Sequence, residues 1–103
     1  MYRASDRREH EEWLENLEAT ADRLDLEGTA RSRAVDLFLS SMPVEEERSK
    51  RAVMAVSLYV GALVSGQERS QRVVADAADV SRLTIQQRWK GLLEDAGLDA
   101  PDW

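Results

Sequence analysis

No cysteine occurs in the 103 residues. Disulfides, thiolate metal sites and cysteine nucleophiles are thereby excluded. Proline is confined to Pro43 and Pro101, and lysine to Lys50 and Lys90. The single histidine, His10, stands beside Glu9, Glu11 and Glu12. A metal site needs several convergent ligands, so this cluster reads as a solvated helix face. The longest apolar run, Val53 to Val64, contains Ser57 and Tyr59 and falls far short of a bilayer span. The opening MYRASDRREH has no apolar stretch of the signal-peptide kind. A cytoplasmic protein without membrane association is the expectation. A nucleophile–base pair, a glycine-rich phosphate loop and a carboxylate dyad are also missing. Neither catalysis, nor a cofactor, nor a small-molecule substrate is therefore expected.

What is present is charge, unevenly placed. The formal net charge is -6, which argues against simple coating of nucleic acid, because DNA affinity is dominated by phosphate neutralisation. Met1 to Glu47 holds thirteen acids and six arginines. Arg48 to Lys90 holds eight bases and three acids, and Gly91 to Trp103 adds four acids. Abundant arginine, scarce lysine and an acidic surface together are the bias of a salt-adapted, halophilic proteome. In that setting a low isoelectric point says little about function.

Apolar spacing is helical throughout, and 103 residues leave room for one compact domain. A first helix is predicted over about Arg7 to Leu24, with Asp6 and Glu9 as a capping box. Its stripe is Trp13, Leu14, Leu17, Ala21 and Leu24. A second helix is predicted over about Thr29 to Ser41, with Ala34, Val35, Leu37 and Phe38 inward and Pro43 as its stop. The third, about Glu46 to Ser65, is apolar nearly all round and reads as a central helix, with Gly66 as its C-cap. The acids Glu45, Glu46 and Glu47 suit its positive end. Ser70 caps a short fourth helix, Gln71 to Ala78, and Ser81 a fifth, Arg82 to Asp95. Asp79 and Val80 make the turn between these two. Gly97 is the last cap, and residues 98–103 read as a loose tail.

SQRVVADAADVSRLTIQQRW carries the pattern with functional content. Two short helices meeting steeply need a small residue at their contact, here Ala75. They also need an apolar clamp, here Val74, Ala78, Val80 and Ile85. A helix-turn-helix over about residues 70–95 would present the first turn of its second helix to a DNA groove. Arg82, Leu83, Gln86 and Gln87 are then candidate base readers, since arginine suits guanine, glutamine adenine and leucine a thymine methyl. Arg69, Ser70, Arg72, Ser81, Arg88 and Lys90 are candidate phosphate contacts. Arg48, Lys50 and Arg51 are weaker candidates for the same role. Trp13 and Trp89 read as core or rim, not as stacking platforms.

RAVMAVSLYVGALVSGQERSQRVVADAADVSRLTIQQRWKGLLEDAGL resembles the second half of a cyclin repeat of archaeal transcription initiation factor B. The shared features are an Ala-rich helix ending in Leu-Tyr-Val, a loop, and then Ser-Gln-Arg-x-Val-Ala-x-x-Ala-x-Val-Ser-x-x-Thr-Ile. Upstream, LEATADRLDLEGTARSRAVDLF resembles the family's first two helices. The resemblance spans about Glu12 to Leu98 and implies an all-α, five-helix cyclin-box-like bundle ending in a helix-turn-helix. It also implies that the last helix meets promoter DNA, with Leu83, Thr84, Ile85 and Gln86 as the matching positions and the first and last of them at the DNA edge. Leu83 keeps the apolar character of the family's usual valine, whereas Gln86 stands where the family has arginine. Family members carry a zinc ribbon and two repeats; this sequence, with no cysteine and one repeat, is expected to lack both.

Two functions follow. The first is a small DNA-binding transcription regulator that acts on double-stranded DNA as a homodimer or with another transcription protein. The second is a cyclin-box adaptor that docks on a transcription component without touching DNA. A continuous positive stripe across the last two helices favours the first; interruption by Asp76 and Asp79 favours the second.

Overall fold

The computed structural model describes residues 4–41 and 47–97. Five α-helices follow in order: α1 (Ala4–Arg23), α2 (Gly28–Ser41), α3 (Glu47–Val64), α4 (Gln71–Ala78) and α5 (Arg82–Asp95). No strand occurs among the described residues. The bounds of α4 and α5 are those expected from their serine caps. The start of α1 differs. It begins at Ala4, so Asp6 lies within the helix and is no cap. No glycine or proline stands between Ala4 and Asp6 to stop helix propagation towards the chain start. The expected roles of Pro43, Glu45, Glu46 and the 98–103 tail fall outside the described residues.

The centre is α3, which packs against each of the other four helices. Met54 to Val60 is an uninterrupted buried run, followed by buried Gly61, Ala62 and Leu63. Apolar burial supplies about 1.5–3 kcal/mol for each fully buried large aliphatic side chain, and only an all-round apolar helix can collect it on every face. Close approach of α2 depends on small residues. A Cβ at Gly61 would lie 2.9 Å from the Ala34 nitrogen and 3.0 Å from the Ala30 carbonyl oxygen. Phe38 and Leu37 extend this seam, and Trp13, Leu17 and Ala21 bring α1 onto the same core. Trp89 joins α5 to α3 by an edge-to-face contact with Tyr59, their ring centroids 5.8 Å apart.

Four helices are closed by a left-handed residue, and for two of them it is aspartate. Asp25 (φ 56), Gly66 (φ 75), Asp79 (φ 59) and Gly97 (φ 72) take that position. After the first three the next amide reaches back into the last turn: Leu26 to Ala21 O at 3.1 Å, Gln67 to Ala62 O at 2.9 Å and Val80 to Ala75 O at 3.0 Å. These bonds satisfy carbonyls that a helix end otherwise leaves orphaned.

Arginines satisfy others. Arg23 donates to Ala77 O at 3.1 Å, and Arg51 reaches Ala78 O at 3.4 Å, both at the negative end of α4. The Arg51 guanidinium also lies 5.4 Å from the Trp13 ring centroid. Arg31 donates to Leu26 O at 2.8 Å and pairs with Asp22 and with Glu18. Its hydrogen bond to Asp22 holds the guanidinium pKa above its ordinary value.

Candidate nucleic-acid interface

Most residues with expected functional roles lie on the α4–turn–α5 unit and its capping residues, which local chemistry builds. The Ser70 Oγ accepts from the Val73 amide at 3.1 Å and starts α4. Val74, Ala75 and Ala78 bury one face of that helix. After the left-handed Asp79, the Ser81 Oγ accepts from the Thr84 amide at 3.2 Å and starts α5. Ile85, Trp89 and Leu93 recur every fourth residue and bury the inner stripe of α5.

An open groove of about 770 Å³ lies between the start of α4 and one flank of α5. Ser70, Gln71, Arg72, Arg82, Gln86, Trp89 and Lys90 line it. Five of the ten candidate contact residues thus meet in one concavity: Ser70, Arg72, Arg82, Gln86 and Lys90. Among the described residues no carboxylate lines it, and Asp76 and Asp79, though exposed, are not among its walls. Among the described residues none forms an ion pair with Arg72, Arg82 or Lys90. The Lys90 ammonium lies 5.6 Å from the Trp89 ring centroid. Three cations sharing one concavity, with no acid beside them among the described residues, focus a positive potential.

The other candidates lie elsewhere. Leu83 is 55 % exposed and lines neither this groove nor the smaller one described next. Gln87 and Arg88 line a second depression of about 330 Å³, with Val53, Val56, Gly91, Leu92 and Asp95. Ser81 is exposed, its hydroxyl engaged with Thr84. Arg69 is half-buried and directed inward. It donates to Leu24 O at 2.9 Å, Gln67 O at 2.7 Å and Asp25 O at 3.1 Å. Among the weaker candidates, Lys50 is buried, and Arg51 is committed to Trp13 and α4. Two groove residues, Gln71 and Trp89, were not anticipated as lining. Gln71 follows the capping serine, and Trp89, which is largely buried, lies one turn after Ile85.

The described residues hold no group of three or more His, Cys, Asp or Glu able to bind a metal ion. No described helix is long and apolar enough to cross a membrane.

A sequence profile of the transcription factor TFIIB repeat matches residues 9–95. The chain belongs to this family. The TFIIB-repeat match runs from within α1 to the last residue of α5, and the all-α five-helix bundle is consistent with a cyclin-box fold. The repeat that this profile describes is a transcription-factor repeat. Similar proteins are archaeal. Transcription initiation factor IIB of Pyrococcus abyssi is 32 % identical over 83 residues, covering 79 % of this chain and 28 % of that protein. The factor of Methanosphaerula palustris is 33 % identical over 78 residues, covering 74 % and 23 %. A second factor IIB of Thermococcus kodakarensis is 27 % identical over 90 residues, covering 85 % and 29 %. The chain therefore spans about a quarter of the length of these relatives.

Proposed function

We propose that this protein is a DNA-binding transcription regulator whose α4–turn–α5 unit works as a helix-turn-helix on duplex DNA. The observation that carries this reading is the groove that gathers Arg72, Arg82 and Lys90 with no acid among its described lining residues. A protein of net charge -6 can bind a polyanion only where its cations are locally concentrated and its acids are elsewhere. In this reading α5 enters the major groove, and the DNA-facing set is Ser70, Arg72, Ser81, Arg82, Leu83, Gln86, Gln87 and Lys90. Arg69 supports the fold instead, and Arg88 lies on the far flank of α5. A single reading helix gains affinity from a second half-site, so the protein acts as a homodimer or beside another transcription protein.

A protein-docking role is the second reading. It is favoured by Val73 and Leu83, which are 49 % and 55 % exposed on the same unit.

Titration of a random-sequence duplex and a selected duplex at several salt concentrations separates the two. The DNA reading expects saturable binding that weakens steeply with salt and is lost in an Arg72→Glu/Arg82→Glu double variant that still folds. Absence of binding at the lowest salt that keeps the chain folded would sink it and favour the docking role.

A further inference from the structure

The depression of about 330 Å³ between α3 and α5 lies on the flank of α5 opposite to Arg82, Gln86 and Lys90. Val53 and Val56 of α3 and Leu92 of α5 give it an apolar lining. Arg88 and Asp95 line it as well, about 10 Å apart along the helix axis. Both are exposed, and neither forms an ion pair among the described residues.

Gly91 lies between them in the interior of α5. Glycine is the poorest helix former after proline, and the close packing that demands it at Gly61 is missing here. A Cβ at Gly91 would meet no atom within 4 Å among the described residues. A mid-helix glycine with open space above it leaves room for an element from outside the fold.

These features share one symmetry. The midpoint between Arg88 and Asp95 is also the midpoint between Gly91 and Leu92. A second α5 laid antiparallel about that point sets Arg88 opposite Asp95 of the second copy, and Asp95 opposite its Arg88. The same register sets each Leu92 over the other copy's Gly91. A two-fold interface has to be self-complementary in this way, residue i meeting j while j meets i. A partner of different sequence would not require opposite charges placed symmetrically about a small–large pair.

We infer that α5 pairs antiparallel with α5 of a second copy of this chain across this depression. Two ion pairs fix the register, and Leu92 fills the space that Gly91 leaves, beside Val53 and Val56. The pairing leaves the groove of Arg72, Arg82 and Lys90 open. It needs no DNA and stands or falls separately from the DNA-binding reading.

Sedimentation equilibrium over a concentration series, at one salt concentration and without DNA, reads the association. Helices meeting over two turns bury less than the roughly 1,600 Å² of a standard interface, so a reversible monomer–dimer equilibrium is expected. Arg88, Gly91 and Asp95 are exposed, and thermal melting verifies that each variant folds. Arg88→Glu or Asp95→Arg alone sets like charges opposite each other and weakens association by about 10- to 100-fold. An equimolar mixture of these two variants recovers it, because each mixed pair again holds two contacts of opposite charge. Gly91→Gln raises the thermal midpoint of the dilute monomer, glutamine being the better helix former, yet removes the dimer. A glycine of purely internal importance would not part those two readouts. A wild-type chain that is monomeric at every concentration overturns the proposal and leaves the depression to an unlike partner. A mixture that stays monomeric, or a dimer untouched by Gly91→Gln, overturns the antiparallel pairing.

Discussion

Ser57 lies in the middle of α3, fully buried, and its hydroxyl oxygen has no hydrogen-bond partner. An unsatisfied buried hydroxyl carries its desolvation cost uncompensated, on the order of 1–3 kcal/mol. Alanine removes that cost and is also the better helix former. Ser57→Ala is therefore expected to stabilise the fold by about 1 kcal/mol, read as a higher urea midpoint with an unchanged slope. One turn on, Gly61 has the opposite sign. Helix propensity alone favours alanine there by about 1 kcal/mol. The atoms that a Cβ would meet are backbone of α2, however, and cannot step aside as a side-chain tip can. Gly61→Ala should destabilise by about 1–3 kcal/mol, and a rise in the midpoint would mean that α2 moves freely. Both effects need the helix-on-helix geometry; the sequence shows only a serine and a glycine in an apolar run.

Elements were more legible than their relations. Ser70 and Ser81, each followed by a helical run, fix the starts of α4 and α5 because a capping hydroxyl acts within three residues. The missed start of α1 has a local cause too, since Asp6 is an acceptable residue inside a helix as well as at its end. The closing of α4 was not legible, because Arg23 and Arg51 reach its carbonyls from 54 and 27 residues away. Arg51 is the more informative of the two, being held between Ala78 and the Trp13 face. A double-mutant cycle pairing Arg51→Met with Trp13→Phe should give a coupling of about 0.5–1 kcal/mol. Zero coupling would show that the stacked geometry contributes nothing. The groove follows the same pattern. Its serines and arginines were nameable from the motif, but which flank of α5 faces α4 depends on packing around Ile85 and Trp89. Arg69 and Arg72 look alike in sequence, yet one is bonded to loop carbonyls and the other lines the groove.

At the scale of the molecule, charge is segregated. Glu11, Glu12 and Glu15 are exposed on α1, and three groove cations belong to α4 and α5. Such separation lets a chain of net charge -6 present a positive face, at the cost of long-range repulsion for an anionic ligand. Screening limits that repulsion to about 8 Å at physiological salt. A Glu11→Gln/Glu12→Gln/Glu15→Gln variant should therefore bind duplex DNA more tightly at low salt and equally at high salt. A gain that persists at high salt would mean these acids touch the ligand directly. None of the three pairs with Arg31, so the fold keeps its Glu18 and Asp22 ion pairs in that variant.

Arg69 bonds to carbonyls 45 and 44 positions earlier in the chain. Beside it, the Gln67 side chain accepts the Glu27 amide at 2.7 Å. The end of α1 and the approach to α4 are thus one latch, and neither frees itself without the other. Opening should accordingly be shared: in native-state hydrogen exchange the Leu26, Gln67 and Val74 amides belong to a single cooperative unit with one opening free energy. Arg69→Ala would split that unit, letting the start of α4 fray while α1 stays closed, and the face proposed to meet DNA would lose its fixed orientation before the core had loosened at all.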